Sequence, residues 1–102
     1  PERAAAALAE LGVQAFGGNC GNGPDELTPV IAKMHAAQPG ARLVAKSNTG
    51  MPELVDGRAV YLAKPAIMAG CALEMRAAGA TIIGACCGST PAHLRAMADA
   101  LA

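Results

Sequence analysis

Apolar residues recur along this chain at a helical spacing in four places, and three short strand-like runs separate them. Over residues 3–11, Ala4, Ala7, Leu8 and Leu11 fall at i, i+3, i+4 and i+7, which is one face of a helix. The stretch is Ala-rich, which favours that state, and Gly12 supplies a stop. Leu27, Val30, Ile31 and Met34 repeat the spacing after Asp25 and Glu26, whose charges suit a helix N-terminus. Gln38-Pro39-Gly40 ends this second helix. A third opens at Pro65, presents Met68, Cys71, Ala72 and Met75 on one face, and stops at Gly79. A fourth begins with Thr90 as cap and Pro91 in the first turn, with Leu94, Met97, Ala98 and Leu101 as its expected buried stripe.

Between the helices, residues 13–19, 42–46 and 80–85 read as strands. The last is the clearest. Thr81-Ile82-Ile83 is β-branched and apolar without alternation, the pattern of a strand buried on both faces. Gly17 and Gly18 weaken the first by propensity. Residues 47–52 read as a loop, and residues 53–62 as a loop with some extended structure. The order α-βα-βα-βα implies an α/β fold with parallel strands joined by right-handed crossovers. In such a fold the chemistry gathers at the C-terminal ends of the strands. Cys20, Asn48 and the pair Cys86-Cys87 all follow strand ends, so the topology brings them to one rim.

Composition narrows the function classes. The chain has 102 residues and a formal net charge of zero. This argues for one compact unit, and against nucleic acid or an anionic membrane surface as partner. No apolar run approaches the ~18 residues of a membrane span, and the start lacks a signal-like pattern. The first residue is Pro1 rather than Met, as in a processed chain or a piece of a longer one. Phe16 and Tyr61 are the two aromatic residues, so the core must be aliphatic. Four cysteines at positions 20, 71, 86 and 87 are unevenly spaced. They suit reduced thiols in a cytoplasmic setting better than a disulfide framework.

Three rim thiols are the most reactive set in the chain. Zinc binds thiolate and prefers four tetrahedral ligands, so three cysteines would leave one position open. Both Cys86 and Cys87 reach one metal only if the backbone turns beside them, because neighbouring strand side chains point to opposite faces. Gly84 and Gly88 give that freedom. Cys20 must cross about two strand spacings, roughly 9–10 Å. Cys71 lies on a helix face between methionines and reads as core. His35 reads as solvated, His93 as a capping or packing residue, and Tyr61 as packing near the rim. Two other readings of the rim remain: a thiol-redox or structural metal protein, and a phosphate cradle at Gly88-Ser89-Thr90 before the last helix.

Gly84-Ala85-Cys86-Cys87-Gly88-Ser89-Thr90-Pro91-Ala92-His93 resembles the C-terminal signature of the zinc-dependent homocysteine S-methyltransferases. That family includes betaine–homocysteine methyltransferases and the homocysteine module of cobalamin-dependent methionine synthase. Gly17-Gly18-Asn19-Cys20 and Asn48-Thr49-Gly50-Met51-Pro52 match further family motifs in the same order. The departures are Ala85 for Gly, Ser89 for Thr and Ser47 for Pro. The resemblance spans about residues 12–102. It implies a (β/α)8 barrel of which residues 1–102 are the last three βα units, the C-terminal part of a homocysteine-binding domain. It further implies Zn2+ held by Cys20, Cys86 and Cys87, Asn19 and Asn48 lining the substrate side, and methyl transfer to homocysteine to give methionine. Betaine, S-methylmethionine or methylcobalamin would be the methyl donor. The segment Val55-Asp56-Gly57, Tyr61, Pro65 resembles the betaine-type and cobalamin-type members most. The absent N-terminal part of the barrel, or a second copy, is then the expected partner of the open sheet edges.

Overall fold

The computed structural model describes residues 1–50, 53–60 and 63–102. Four helices, α1 (Glu2–Glu10), α2 (Pro24–Ala37), α3 (Pro65–Ala78) and α4 (Pro91–Leu101), alternate with the strands β1 (Ala15–Cys20), β2 (Arg42–Ser47) and β5 (Ala80–Ala85). A two-stranded antiparallel hairpin, β3 (Glu53–Val55) and β4 (Arg58–Val60), is inserted between β2 and α3. Proline opens α2, α3 and α4. Its fixed φ suits the first turn, and its missing N–H would have no helical partner there. Gly79, at φ 121°, lets α3 run directly into β5.

The main sheet has the order β1-β2-β5, all parallel. Leu43 pairs with Phe16 and Ala80, and this row is buried. The helices contact one another in sequence, α1 on α2, α2 on α3 and α3 on α4, forming a layer against the sheet. Ile31, Leu43, Met68 and Met75 are fully buried in the resulting core, with Leu27, Met34, Ala45, Ala72 and Met97 around them. Each large aliphatic side chain buried this way contributes about 1.5–3 kcal/mol.

Among the described residues nothing covers the other face of the sheet's centre. Burial along β2 alternates: Leu43, Ala45 and Ser47 are inside, while Arg42 and Lys46 are exposed. Ile82, paired with Val44, is 45% exposed. The expectation that the Thr81-Ile82-Ile83 run is covered on both sides is therefore not met within this chain. Sequence pattern reports what a strand is suited to, and a second covering layer is absent among the described residues. The architecture is an α/β unit with a parallel sheet and flanking helices. The three strands do not close on themselves, and β1 and β5 are its edges.

Two helix-face expectations are also corrected, and the extended structure expected after residue 52 is refined. In α1 the buried side is Ala5, with Leu8 and Ala9 half-buried, while Ala4, Ala7 and Leu11 face solvent. Alanine is small enough that the i, i+3, i+4 pattern fits two adjacent faces, and packing on α2 selects one. In α4 the buried pair is His93 and Met97; Leu94 is 49% exposed and Ala98 is exposed. Residues 53–60 form a hairpin with Asp56 (φ 50°) and Gly57 (φ 76°) at its turn. Asp-Gly is the pair that a tight hairpin with two left-handed residues demands. Tyr61 and the Met51-Pro52 end of its motif lie outside the described residues.

Candidate metal centre

The strand register makes the rim level. Cys20, Ser47 and Ala85 are partners in one row across β1, β2 and β5, and Cys86 is the next residue. Beyond that row the chain turns sharply twice. Cys20 itself adopts φ 59° and Gly21 φ 72°, so β1 bends at its last residue. A left-handed conformation is uncommon for a residue with a Cβ, and here it sets the direction of the Cys20 thiol. On the other edge, the Ser89 N–H donates to Cys86 O at 3.1 Å, with Gly88 at φ 80° between them. This tight turn needs glycine at its third position. It supplies the change of direction that lets adjacent cysteines serve one point.

The central strand holds both turns in place. The Cys86 N–H donates to Ser47 O at 2.7 Å, and the Thr49 N–H donates to Cys87 O at 3.1 Å. Ser47 and Thr49 are fully buried. The Asn48 Nδ2 donates to Gly21 O, and the Gly50 N–H donates to Asn48 Oδ1 at 3.2 Å. Asn48 therefore ties the loop after β1 to the loop after β2. The two loops press together so closely that a Cβ at Gly23 would sit 3.1 Å from Gly50 Cα. The roles of Ser47 and Thr49 were not read from the sequence. Their signal is the same short motif that singled out Asn48, since buried polar groups at a rim must find backbone partners.

The result is a cluster of three thiols from two distant parts of the chain. Cys20 Sγ lies 2.7 Å from Cys86 Sγ and 3.7 Å from Cys87 Sγ, and Cys86 Sγ lies 3.8 Å from Cys87 Sγ. No other group of three metal-binding side chains converges among the described residues. The gap across β2 is closed by the bend at Cys20 and by the position of Cys86 one residue past its strand. For thiolates ~2.3 Å from a tetrahedral metal, the sulfur–sulfur edge is about 3.8 Å. Two of the three edges already have that length, and the third would open on binding. The cluster can coordinate a metal ion.

The thiols perturb one another's ionisation in opposite directions. The hydrogen bond with Cys86 pushes the Cys20 thiol up to about 11, helped by Cys87. The same bond holds Cys86 below the usual thiol range, and the Asn19 side chain contributes in the same direction. Cys71 stands apart on α3, half-buried, with burial pushing its thiol up, as its core reading requires. His93 accepts the Thr90 N–H at Nδ1 (3.1 Å), and its Nε2 meets Ala63 O at 2.9 Å. It completes a capping box with Thr90 and fastens the start of α4 to the segment before α3. Asn19 is exposed on the uncovered sheet face and lines an open groove of about 350 Å³ with Phe16, Gly17, Gly18, Val44 and Lys46.

A parallel sheet with a three-thiol rim on these motifs defines a class. The chain belongs to the homocysteine S-methyltransferase family, whose model matches residues 1–101. It is 35% identical over 105 residues to the methionine synthase of Mycobacterium leprae (strain TN), covering 97% of this chain and 8% of that protein. It is also 35% identical over 102 residues to the methionine synthase of Mycobacterium tuberculosis (strain ATCC 25618 / H37Rv), covering 94% of this chain and 8% of that protein. The chain thus spans a small part of the length of these relatives.

Proposed function

We propose that this chain contributes the metal-binding rim of an enzyme that transfers a methyl group to the thiol of homocysteine, giving methionine. The observation that carries the reading is the convergence of Cys20, Cys86 and Cys87, with edges of 3.7 and 3.8 Å, in a member of this family. Zn2+ suits the donor set: three thiolates bind it strongly and leave one tetrahedral position for a substrate sulfur. When bound, zinc would hold the homocysteine sulfur as a thiolate at neutral pH, where a free thiol is mostly protonated.

The residues of this chain do the positioning. Cys20, Cys86 and Cys87 would hold the metal, and Cys20 must give up its proton to do so. Ser47, Thr49 and Asn48 keep the two cysteine-bearing turns at fixed separation through the backbone bonds described above. Asn19, exposed and lining the groove beside the rim, would contact the substrate. Asn48, buried, would shape the site indirectly, by tying the loop after β1 to the loop after β2. The reaction forms the sulfur–methyl bond of methionine and breaks the donor's bond to that methyl group. Betaine, S-methylmethionine and methylcobalamin are the candidate donors. The methionine synthases among the relatives favour methionine as the product.

We read residues 1–102 as the last three βα units of a larger (β/α)8 barrel. The single helix layer, the uncovered sheet face and the two free edges support this. The rest of the barrel, or a second copy, would cover that face. Among the described residues no helix is long and apolar enough to cross a membrane. Free thiols at the rim suit a reducing, cytoplasmic setting.

X-ray absorption at the zinc edge tests the reading. Addition of L-homocysteine to the zinc-loaded protein should raise the sulfur count from three to four. An unchanged count at saturating homocysteine would count against it. One observation favours a second reading, thiol redox chemistry: the 2.7 Å approach of Cys20 and Cys86. Reversible disulfide formation by this pair, in a protein that takes up no zinc, would select that reading instead.

A further inference from the structure

We propose that His93 is a positioning residue for the metal centre: through Thr90 and Ala63 it fixes the turn that carries Cys87. This deepens the metal-site reading above and rests on it. His93 lies in the first turn of α4, outside the thiol cluster. A ring of bonds closes through it. The Thr49 N–H donates to Cys87 O at 3.1 Å, and the Ala63 N–H donates to Thr49 O at 3.1 Å. Ala63 O lies 2.9 Å from His93 Nε2, and the Thr90 N–H donates to His93 Nδ1 at 3.1 Å. Gly88 and Ser89 complete the ring along the chain, from Thr90 back to Cys87. Every contact in it is within ordinary hydrogen-bond range.

The partners fix what each ring nitrogen does. A backbone N–H only donates, so Nδ1 accepts; a carbonyl only accepts, so Nε2 carries the proton. In the common capping box a Glu or Gln at this position accepts the N-cap N–H. A carboxylate would close the box but has no proton to give Ala63 O. The imidazole serves both partners from opposite sides of one rigid, buried ring. The need for such a tie lies in the turn. Bonds from Cys86 to Ser47 and from Thr49 to Cys87 hold its start. Gly88 follows at φ 80°, and glycine has the most freedom to lose when it is fixed. The Cys87 side chain is exposed, so packing does not aim its thiol. Its direction depends on backbone held on both sides, and His93 holds the far side. The same ring closes the base of the segment between Thr49 and Ala63, which carries the β3–β4 hairpin. The metal-bearing turn and the hairpin base are thus one mechanical unit.

The test compares Co2+ binding by the wild type, His93→Asn, His93→Gln and Met97→Ala. Visible spectra report the geometry of sulfur-bound Co2+, and chelator competition gives the affinity. His93→Asn keeps an acceptor at the δ position for Thr90 and removes the donor to Ala63. His93→Gln keeps a donor at the ε position. Met97→Ala removes buried packing from α4 and leaves the ring of bonds intact. His93→Asn should weaken Co2+ about tenfold, the lower end for partners that orient a metal ligand, and shift the bands of the loaded protein. His93→Gln should recover most of the affinity and the wild-type bands. Met97→Ala should lose stability yet bind Co2+ with wild-type bands. Circular dichroism confirms the fold, and His93→Ala is read in the same way should the asparagine variant not fold. Wild-type affinity and bands in His93→Asn overturn the assignment and leave the metal centre standing. The same band shift in Met97→Ala also overturns it, because loosening α4 would then suffice. Reduced wild-type protein that takes up no Co2+ overturns both.

Discussion

Gly17→Ala perturbs the candidate centre without touching any of its residues. A Cβ at Gly17 would sit 1.8 Å from Val44 O and 2.7 Å from both Val44 C and Val44 N. All three are backbone atoms of the central strand, so no side chain can swing aside. Contacts under 3.0 Å are essentially never tolerated by a Cβ. β1 and β2 must therefore part locally by more than roughly 1 Å, which takes the flanking N–H···O bonds past the range where they hold well. Two such bonds at about 1 kcal/mol each, with overpacking strain of about 1–3 kcal/mol, give a loss of roughly 3–5 kcal/mol. Domains of this length have roughly 5–15 kcal/mol in total. The effect also reaches the rim, because Cys20 ends the same strand and pairs with Ser47. Moving β1 separates its thiol from Cys86 and Cys87. Urea unfolding followed by circular dichroism should show the loss, and zinc uptake should weaken in the folded fraction. Gly40→Ala is the control, since nothing lies within 4 Å of a Cβ there. A Gly17→Ala protein within about 0.5 kcal/mol of wild type, the range of neutral surface changes, with unchanged zinc uptake, would refute the reasoning.

Other substitutions and pH report on separate parts of the fold. Met75→Ala, at a fully buried position, should cost about 2–5 kcal/mol in the same urea assay; a cost under ~1 kcal/mol would mean that the α3 face is not core. Gly70→Ala, inside α3 with open space at its Cβ, should stabilise by about 0.5–1 kcal/mol. The Cys71 thiol is raised by burial, so between the ordinary thiol value and the raised one the folded state keeps a proton that the unfolded state has lost. Its contribution is present below that window and falls as pH rises through it. Stability at alkaline pH should thus decline less steeply in Cys71→Ala. Cys20, held up to about 11, must lose its proton to bind metal, so zinc affinity should rise by about tenfold per pH unit or more near neutrality. A flat affinity profile there would show that Cys20 is not a ligand.

The chain's periodicity carried the helices and strands well, because Leu27, Ile31 and Met34 or Met68 and Met75 are large enough to mark a single face. It misled where alanine dominates, as in α1, since small apolar residues do not distinguish adjacent faces. In α4 the polar His93 takes a buried position because its ring nitrogens find Thr90 and Ala63, which no hydropathy pattern encodes. The hairpin at Asp56-Gly57 had a local signal in that dipeptide, but its strands are three residues each, too short for a period to show. At the rim, strand order alone placed Cys20, Asn48, Cys86 and Cys87 on one side. The bend at Cys20 was not legible. A left-handed cysteine has no propensity signature and is imposed by the contacts of the two loops.

Zinc per chain, measured on protein purified without oxygen beside a Cys86→Ala control, tests the central claim most directly. The account predicts one zinc per chain in the wild type, with most of it lost in the control while the fold persists by circular dichroism. Folded, reduced wild-type protein that takes up no zinc, or a Cys86→Ala chain that binds as much as wild type, would contradict it.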